Sequence, residues 1–163
     1  MSWEEDLEEL KKRAELAKEM GGIERIAKHY ARGRLTVRER IDKLLDENSF
    51  HETGELTGKV TYDEDGEIKE FVPSNFVFGR GKVEGREIVV AGDDFTVRGG
   101  AADARIGNKS LYSLKLAEYH RLPLVNLVDG SGGGGSVKTL ETMGATYVPG
   151  LPSWQNIVRL LSM

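Results

Sequence analysis

Residues 122–136 read Leu122-Pro123-Leu124-Val125-Asn126-Leu127-Val128-Asp129-Gly130-Ser131-Gly132-Gly133-Gly134-Gly135-Ser136. A mostly apolar run of strand length leads through one aspartate into glycine and serine alone, at the place where a ligand approaches the carboxyl edge of a sheet. Four consecutive glycines let a backbone without Cβ atoms turn several N–H groups toward one point. Residues 137–143 have a composition that can open a helix whose positive end faces the same point. The stretch therefore reads as an anion hole, with a flexible linker as the bland alternative. A phosphate-binding P-loop fails on register: lysine must follow the last glycine directly, and here Ser136 and Val137 separate Gly135 from Lys138.

Upstream lies a second element of the same kind, Val89-Val90-Ala91-Gly92-Asp93-Asp94-Phe95-Thr96-Val97-Arg98-Gly99-Gly100. It is again a β-rich run ending in paired glycines before a helical pattern, with Ile106, Leu111, Leu114 and Ala117 marking a helix over 101–119. Strand, helix and strand in that order predict a parallel crossover, and hence an α/β fold. Two such elements in series suggest two convergent sets of amide donors, an economical way to stabilise an oxyanion. Asp93, Asp94 and Asp129 read as caps of strand ends and loops.

Between residues 55 and 92 the pattern is one of short β-rich runs, 59–62, 68–72, 76–81 and 87–92, with turn material at Asp65-Gly66 and Glu84-Gly85. They predict an antiparallel ladder entering the sheet. Before it, residues 1–45 form a helical, charged appendage to the domain over 46–163. Ser2 and Glu5 have capping-box spacing, and Trp3, Leu7, Leu10, Ala14 and Ala17 line one face of a first helix that stops at Gly21-Gly22. A short second helix is expected to carry Ile23, Ile26, Ala27 and Tyr30 on one face, and Thr36 with Glu39 starts a third that carries Ile41, Leu44 and Leu45. Their stripes read as docking faces that bury little by themselves. The chain ends on Trp154, Ile157, Val158, Leu160, Leu161 and Met163 without a stop signal, which suggests a truncated longer protein.

Composition narrows the function. With 39% hydrophobic and 31% charged residues the chain reads as soluble and globular, and a net charge of -4 with mixed signs gives no footprint for nucleic acid. The chain has no cysteine, and His29, His51 and His120 are too scattered for a metal cluster, so no metal is expected. The acidic start, with Glu4, Glu5, Asp6, Glu8 and Glu9, reads as the opposite of an arginine-rich transit peptide or a basic, apolar secretory signal, and no apolar run reaches membrane-spanning length. A cytoplasmic location follows as the expectation.

Three segments together carry a family resemblance. Gly33-Arg34-Leu35-Thr36-Val37-Arg38-Glu39-Arg40-Ile41 with Leu44-Leu45-Asp46 and Ser49-Phe50 is the first; Asp94-Phe95-Thr96-Val97 with Gly99-Gly100 is the second; residues 122–133 are the third. In this order they resemble the amino-terminal part of biotin-dependent acyl-CoA carboxyltransferases of the propionyl-CoA and methylcrotonyl-CoA carboxylase β type. The resemblance implies an incomplete crotonase-like (ClpP/crotonase) superhelix of ββα units. It implies that Gly132 and Gly133 give oxyanion-hole amides to a thioester carbonyl, and that Phe95, Thr96, Gly99 and Gly100 bind substrate. Lys109 would face a CoA phosphate, unless it is a plain surface lysine. The family usually has aspartate directly before serine and a glycine pair, whereas this chain inserts Gly130 and continues with Gly134, which shifts the register by one and adds Gly134 to the catalytic set.

The implied chemistry is loss of the acyl-CoA α-proton, an enolate held by backbone amides, and transfer of carboxylate from N1 of carboxybiotin, whose ureido nitrogen then serves as base. No Ser-His-Asp set is required. Biotin would be carried by a biotin carboxyl carrier or biotin carboxylase partner, the full-length chain would form a homo-oligomer, and the fragment alone would be inactive. Two alternatives remain open: a biotin-dependent acyl-CoA decarboxylase running the transfer in reverse, and a non-catalytic CoA-binding or assembly fragment.

Overall fold

The structure is a computed structural model that describes residues 3–101, 106, 108–129, 140, 141 and 144. Three helices come first, α1 (Trp3–Lys18), α2 (Ile23–Tyr30) and α3 (Val37–Leu44), then β1 (His51–Glu52), β2 (Gly58–Tyr62), β3 (Ile68–Pro73), β4 (Phe76–Val83), β5 (Arg86–Asp93), a 3-10 turn at Arg98–Gly100, α4 (Lys109–His120) and β6 (Leu124–Leu127). β2 and β3 make a separate two-stranded hairpin. β1, β4, β5 and β6 form one sheet in that order, antiparallel except for the parallel pair β5–β6.

The parallel pair is the predicted crossover. α4 carries the chain from the end of β5 back to the start of β6, so that Val89 stands opposite Leu124 and Gly92 opposite Leu127. The helix is shorter than its sequence pattern suggests: Ala101 and Ile106 are not helical, and Asn108, at φ 52°, lies in the left-handed region immediately before α4. Such a φ interrupts a right-handed helix, which therefore begins only at Lys109.

β5 is buried without a break from Ile88 to Asp93 because helices cover both of its faces. On one face Val77, Ile88 and Val90 pack with Val37, Ile41 and Leu45. On the other, Phe76, Phe78 and Ala91 pack against Leu116 and Leu124. The result is a three-layer α/β/α stack, in which odd and even strand residues feed different cores. The expectation that the first three helices bury little holds for α1, where Trp3, Leu7 and Leu10 are exposed, but not for α3, whose Ile41 is 1% exposed. It holds for the apolar face of α2 as well, where Ile23, Ala27 and Tyr30 face solvent, but α2 buries a residue its pattern did not single out, His29.

Local sequence chemistry fixes the junctions. Thr36 and Glu39 form the predicted capping box at the start of α3, with Thr36 N donating to Glu39 Oε2 at 2.8 Å and Glu39 N to Thr36 Oγ1 at 3.3 Å. Asp46, just past α3, accepts from the amides of Glu84 and Gly85 at 2.8 Å each and so holds the β4–β5 turn, where both residues have positive φ. In the β2–β3 turn Asp63 Oδ1 accepts from Asp65 N and Glu67 N at 3.1 and 2.9 Å. α1 lies on that hairpin through Tyr62, whose hydroxyl donates to Glu9 at 2.9 Å, and through a Lys12–Glu67 pair at 3.2 Å. The Ser2–Glu5 capping box lies outside the described side chains.

The placement of α3 yields a stability prediction. Ile41→Ala should lower the free energy of unfolding by about 2–5 kcal/mol, the scale for emptying a buried aliphatic site. Trp3→Ala, on the exposed stripe of α1, should stay within about 0.5 kcal/mol. Denaturant midpoints decide it, and equal losses would take α3 out of the core.

Candidate functional site

The two glycine-bearing segments leave the same edge of the sheet from adjacent strands. β5 ends at Asp93 and β6 at Leu127, and Asp129 N donates to Asp93 Oδ2 at 3.3 Å, so the exits are tied together where residues 94–100 and the glycine run begin. Gly132, Gly133 and Gly134 lie outside the described residues. Past them, Leu140 and Glu141 are helical, and Gly144 N donates to Leu140 O at 2.9 Å.

Residues 94–101 form a hydrogen-bonded corner. Asp94 N donates to Asn75 O at 2.8 Å, and Asn75 Nδ2 donates to Ala101 O at 2.8 Å, so one buried asparagine spans both ends. Asp94 Oδ1 accepts from Thr96 N at 2.9 Å and from its hydroxyl at 2.6 Å. Burial pushes the Asp94 carboxyl above its ordinary range, against the two Thr96 bonds and the charges of Arg38 and His29. Thr96 is itself 3% exposed and accepts at Oγ1 from Gly21 N at 3.0 Å. A Cβ on Gly21 would stand 2.0 Å from Thr96 O, so the α1–α2 turn can lie this close only as glycine. Gly100 is buried and donates its amide to Val97 O at 3.1 Å, while no described atom lies within 4 Å of where a Gly99 Cβ would stand.

Phe95 faces the other exit. The His29 ring stacks on it at 6.3 Å between centroids and 29° between planes, and the Arg34 guanidinium lies 5.9 Å from its centroid. Both side chains also meet Asp129: His29 Nε2 stands 3.9 Å from Oδ2 and Arg34 Nη1 3.9 Å from Oδ1. Sequence periodicity missed His29 because it scores apolar faces, and this face of α2 buries an imidazole. The usable signal was Arg34 beside a glycine in the first family segment.

Lys109 is neither a surface lysine nor turned to solvent. It is 5% exposed, 3.5 Å from Glu52 Oε1, and its ammonium lies 5.8 Å from the Phe78 ring centroid. Glu52 Oε2 accepts from Arg38 at 2.7 Å, so one buried carboxylate serves two cations. Burial lowers the Lys109 pKa, and Glu52 opposes the shift. Among the described residues no cluster of three or more metal-ligating side chains occurs, and no helix is long and apolar enough to cross a membrane.

The carboxyl transferase domain family matches residues 28–149, from the last turns of α2 through the glycine run. The chain belongs to that family. Among relatives of this carboxyl transferase domain, the propionyl-CoA carboxylase carboxyltransferase subunit of Haloferax mediterranei is 31% identical over 132 residues, 81% of this chain and 26% of that protein. The methylmalonyl-CoA decarboxylase subunit alpha of Veillonella parvula is 33% identical over 129 residues, 79% of this chain and 25% of that one. In structure, a transcarboxylase 12S described as a hexamer, with methylmalonyl-coenzyme A and methylmalonic acid bound, superposes with a TM-score of 0.64 at 27% identity over 99% of this chain and 28% of its own. The α/β fold is thus an incomplete crotonase-like one. The chain spans about a quarter of the length of the curated relatives it matches.

Two predictions follow from the buried charges. Glu52→Gln takes from Arg38 and Lys109 the carboxylate that both touch, leaving them the weaker influence of Asp94 and Glu55, and should cost about 3–5 kcal/mol, whereas Lys109→Met keeps the Arg38–Glu52 pair and should cost clearly less; the reverse order in denaturant unfolding would contradict this charge assignment. The Asp94 prediction concerns pH. Its folded pKa lies above the unfolded value, so its ionisation penalises the fold, beginning as pH rises through the unfolded carboxylate pKa of about 3.9 and reaching its full size above the folded one. Asp94→Asn, which can keep the acceptor for Thr96, should therefore gain on the wild type as pH rises from 4 toward 7 in paired unfolding curves. A gap that narrows over that interval would show that the carboxylate is stabilised there instead.

Proposed function

We propose that this chain is the acyl-CoA-binding part of a carboxyltransferase subunit, which moves carboxylate between biotin and the α-carbon of an acyl-CoA. The observation that carries the reading is the register of the parallel pair. With Gly92 opposite Leu127, the segment holding Phe95, Thr96, Gly99 and Gly100 and the run holding Gly132, Gly133 and Gly134 start side by side on one sheet edge. A thioester carbonyl seated on the amides of the glycine run, with the register open by one residue, gains charge as the α-proton leaves. Fixed backbone dipoles stabilise that charge without reorganising.

The 94–101 corner is the wall against which the acyl group is set. Asp94, Thr96 and Asn75 hold it rigid, and Phe95 is its apolar face toward the second exit. Of the two paired glycines, Gly99 is the better candidate for close approach to substrate, since the Gly100 amide is engaged by Val97. Lys109, turned to Glu52, supports the start of α4 in this reading and does not face a CoA phosphate.

Biotin, once carboxylated, would supply the carboxylate to be transferred. The described residues do not fit biotin itself, because the polar side chains at this edge already face one another: Asp93 the Asp129 amide, Asp94 Thr96, and Asp129 His29 and Arg34. We therefore assign biotin, its carrier protein and the assembly of a homo-oligomer to parts of the protein that this chain does not span. The Veillonella relative favours keeping the reverse direction, decarboxylation of a carboxyacyl-CoA, as the second reading, since the same hole stabilises the same enolate.

Gly133→Val in the full-length protein is the test. A branched side chain there blocks close approach of the thioester, so acyl-CoA carboxylation should fall about 10²–10³-fold with the fold intact by circular dichroism. Asp129→Asn should do much less. A folded Gly133→Val enzyme of near-normal rate, beside an Asp129→Asn or Lys138→Ala enzyme that is dead, would replace the backbone hole with side-chain catalysis or phosphate binding.

A further inference from the structure

We infer that His29 and Arg34 are positioning residues, a clamp that holds Phe95 and Asp129, and with them the two strand exits, at a fixed separation. The kinetic part of this inference rests on the function proposed above. The clamp itself stands on geometry.

His29 is in the last turn of α2, and the chain reverses immediately after it: Gly33 has φ 69°, and Arg34 N donates to His29 O at 3.2 Å. That turn returns Arg34 to the side of His29, so one short segment presents two nitrogen-bearing planar groups in the same direction. Both reach Phe95, on the exit from β5, and both reach the Asp129 carboxylate, on the exit from β6. His29 is 6% exposed, which is unusual for a polar residue on a two-turn helix whose other residues are exposed or, for Ile26, half-buried. Its burial is accounted for by the ring beneath it and the carboxylate in front of it.

The rest of α2 and the turn before it hold the same loop. Gly21 N donates to Thr96 Oγ1 at 3.0 Å, and Arg25 Nη1 donates to Thr96 O at 3.5 Å. The segment from Gly21 to Arg34 thus meets residues 95–96 at several points and Asp129 at two, although it is far from both in sequence. Beyond the β5–β6 ladder, a direct tie between the exits is the 3.3 Å bond from Asp129 N to Asp93, and the segment braces both exits from a third side. A shift of an ångström between groups that act together in a transition state costs up to about 10²-fold in rate. The clamp removes that freedom.

The experiment uses the full-length protein in its native oligomer and reads exchange and kinetics separately. Amide hydrogen exchange comes first, and it needs no activity. In a His29→Ala/Arg34→Ala double variant, peptides covering 93–100 and 124–129 should exchange about tenfold faster, while β4 and the α3 core keep their protection. Unchanged exchange at both exits overturns the clamp. In the kinetic arm, His29→Ala should lower kcat per folded site about tenfold with KM for the acyl-CoA unchanged, because what is lost acts in the transition state. His29→Gln, which keeps a polar planar group facing Asp129, should restore most of it, and in an Asp129→Ala background His29→Ala should have little further effect. A His29→Ala effect that is equally large in that background, or that Gln does not rescue, overturns the positioning role. If the wild-type protein transfers no carboxylate, the proposed function fails, and the exchange result alone decides the clamp.

Discussion

The hydrogen atom that stands for a side chain at Gly92 is the constraint on which the site edge depends. A Cβ there would lie 2.6 Å from Val37 Cγ2 and 3.3 Å from Leu127 Cβ. α3 presses on the last buried turn of β5 from one face, and β6 pairs with it from the side. Because nothing projects at residue 92, both neighbours close fully at the carboxyl end of the sheet, where the two exits must be adjacent. Every other feature of the site, the Asp129–Asp93 bond included, presupposes that closeness.

Much of this was legible in the chain. The runs at 59–62, 68–72, 76–81 and 87–92 became β2 to β5 with ends shifted by a residue or two, the Thr36–Glu39 box capped α3, and strand, helix and strand gave the parallel crossover. These signals are local or nearly so: alternation, a cap, a turn with positive φ. The contacts that were not legible join distant segments. Nothing in the spacing of α2 says that Ile23 faces solvent and His29 the core, since the partner that selects this face, Phe95 with Asp129, lies 66 to 100 residues further along. The role of Asp46 was hidden for the same reason: it appeared as a family residue, and only the fold brings it to the turn at residues 84 and 85.

Lys109 shows how local rules mislead near a site. A lysine in the first turn of a helix meets the positive end of the helix dipole, so it is expected to turn outward to water. Here it is buried, which requires a nearby anion. Glu52 on the short edge strand β1 supplies it and also takes Arg38 from α3. One carboxylate thereby links three elements, β1, α3 and α4. Buried ion pairs of this kind are poor evidence of net stability but good evidence of a required arrangement, because any alternative packing leaves a charge without its partner.

That argument extends to the division between helical segment and domain. The interior of α3 is core, α1 rests on the hairpin, and the segment 21–34 touches the site, so the three helices do three different jobs. The family match begins at residue 28, inside α2, one residue before His29. Sequence recognition thus starts at the point where the helical region first meets Phe95 and Asp129, and the more exposed residues of α1 lie before it. A loop made of glycine has no side chains with which to hold its own shape, so its geometry must be imposed from where it is anchored. At this edge the anchor of the exit from β6 is Asp129, and the groups that grip it come from the other end of the chain.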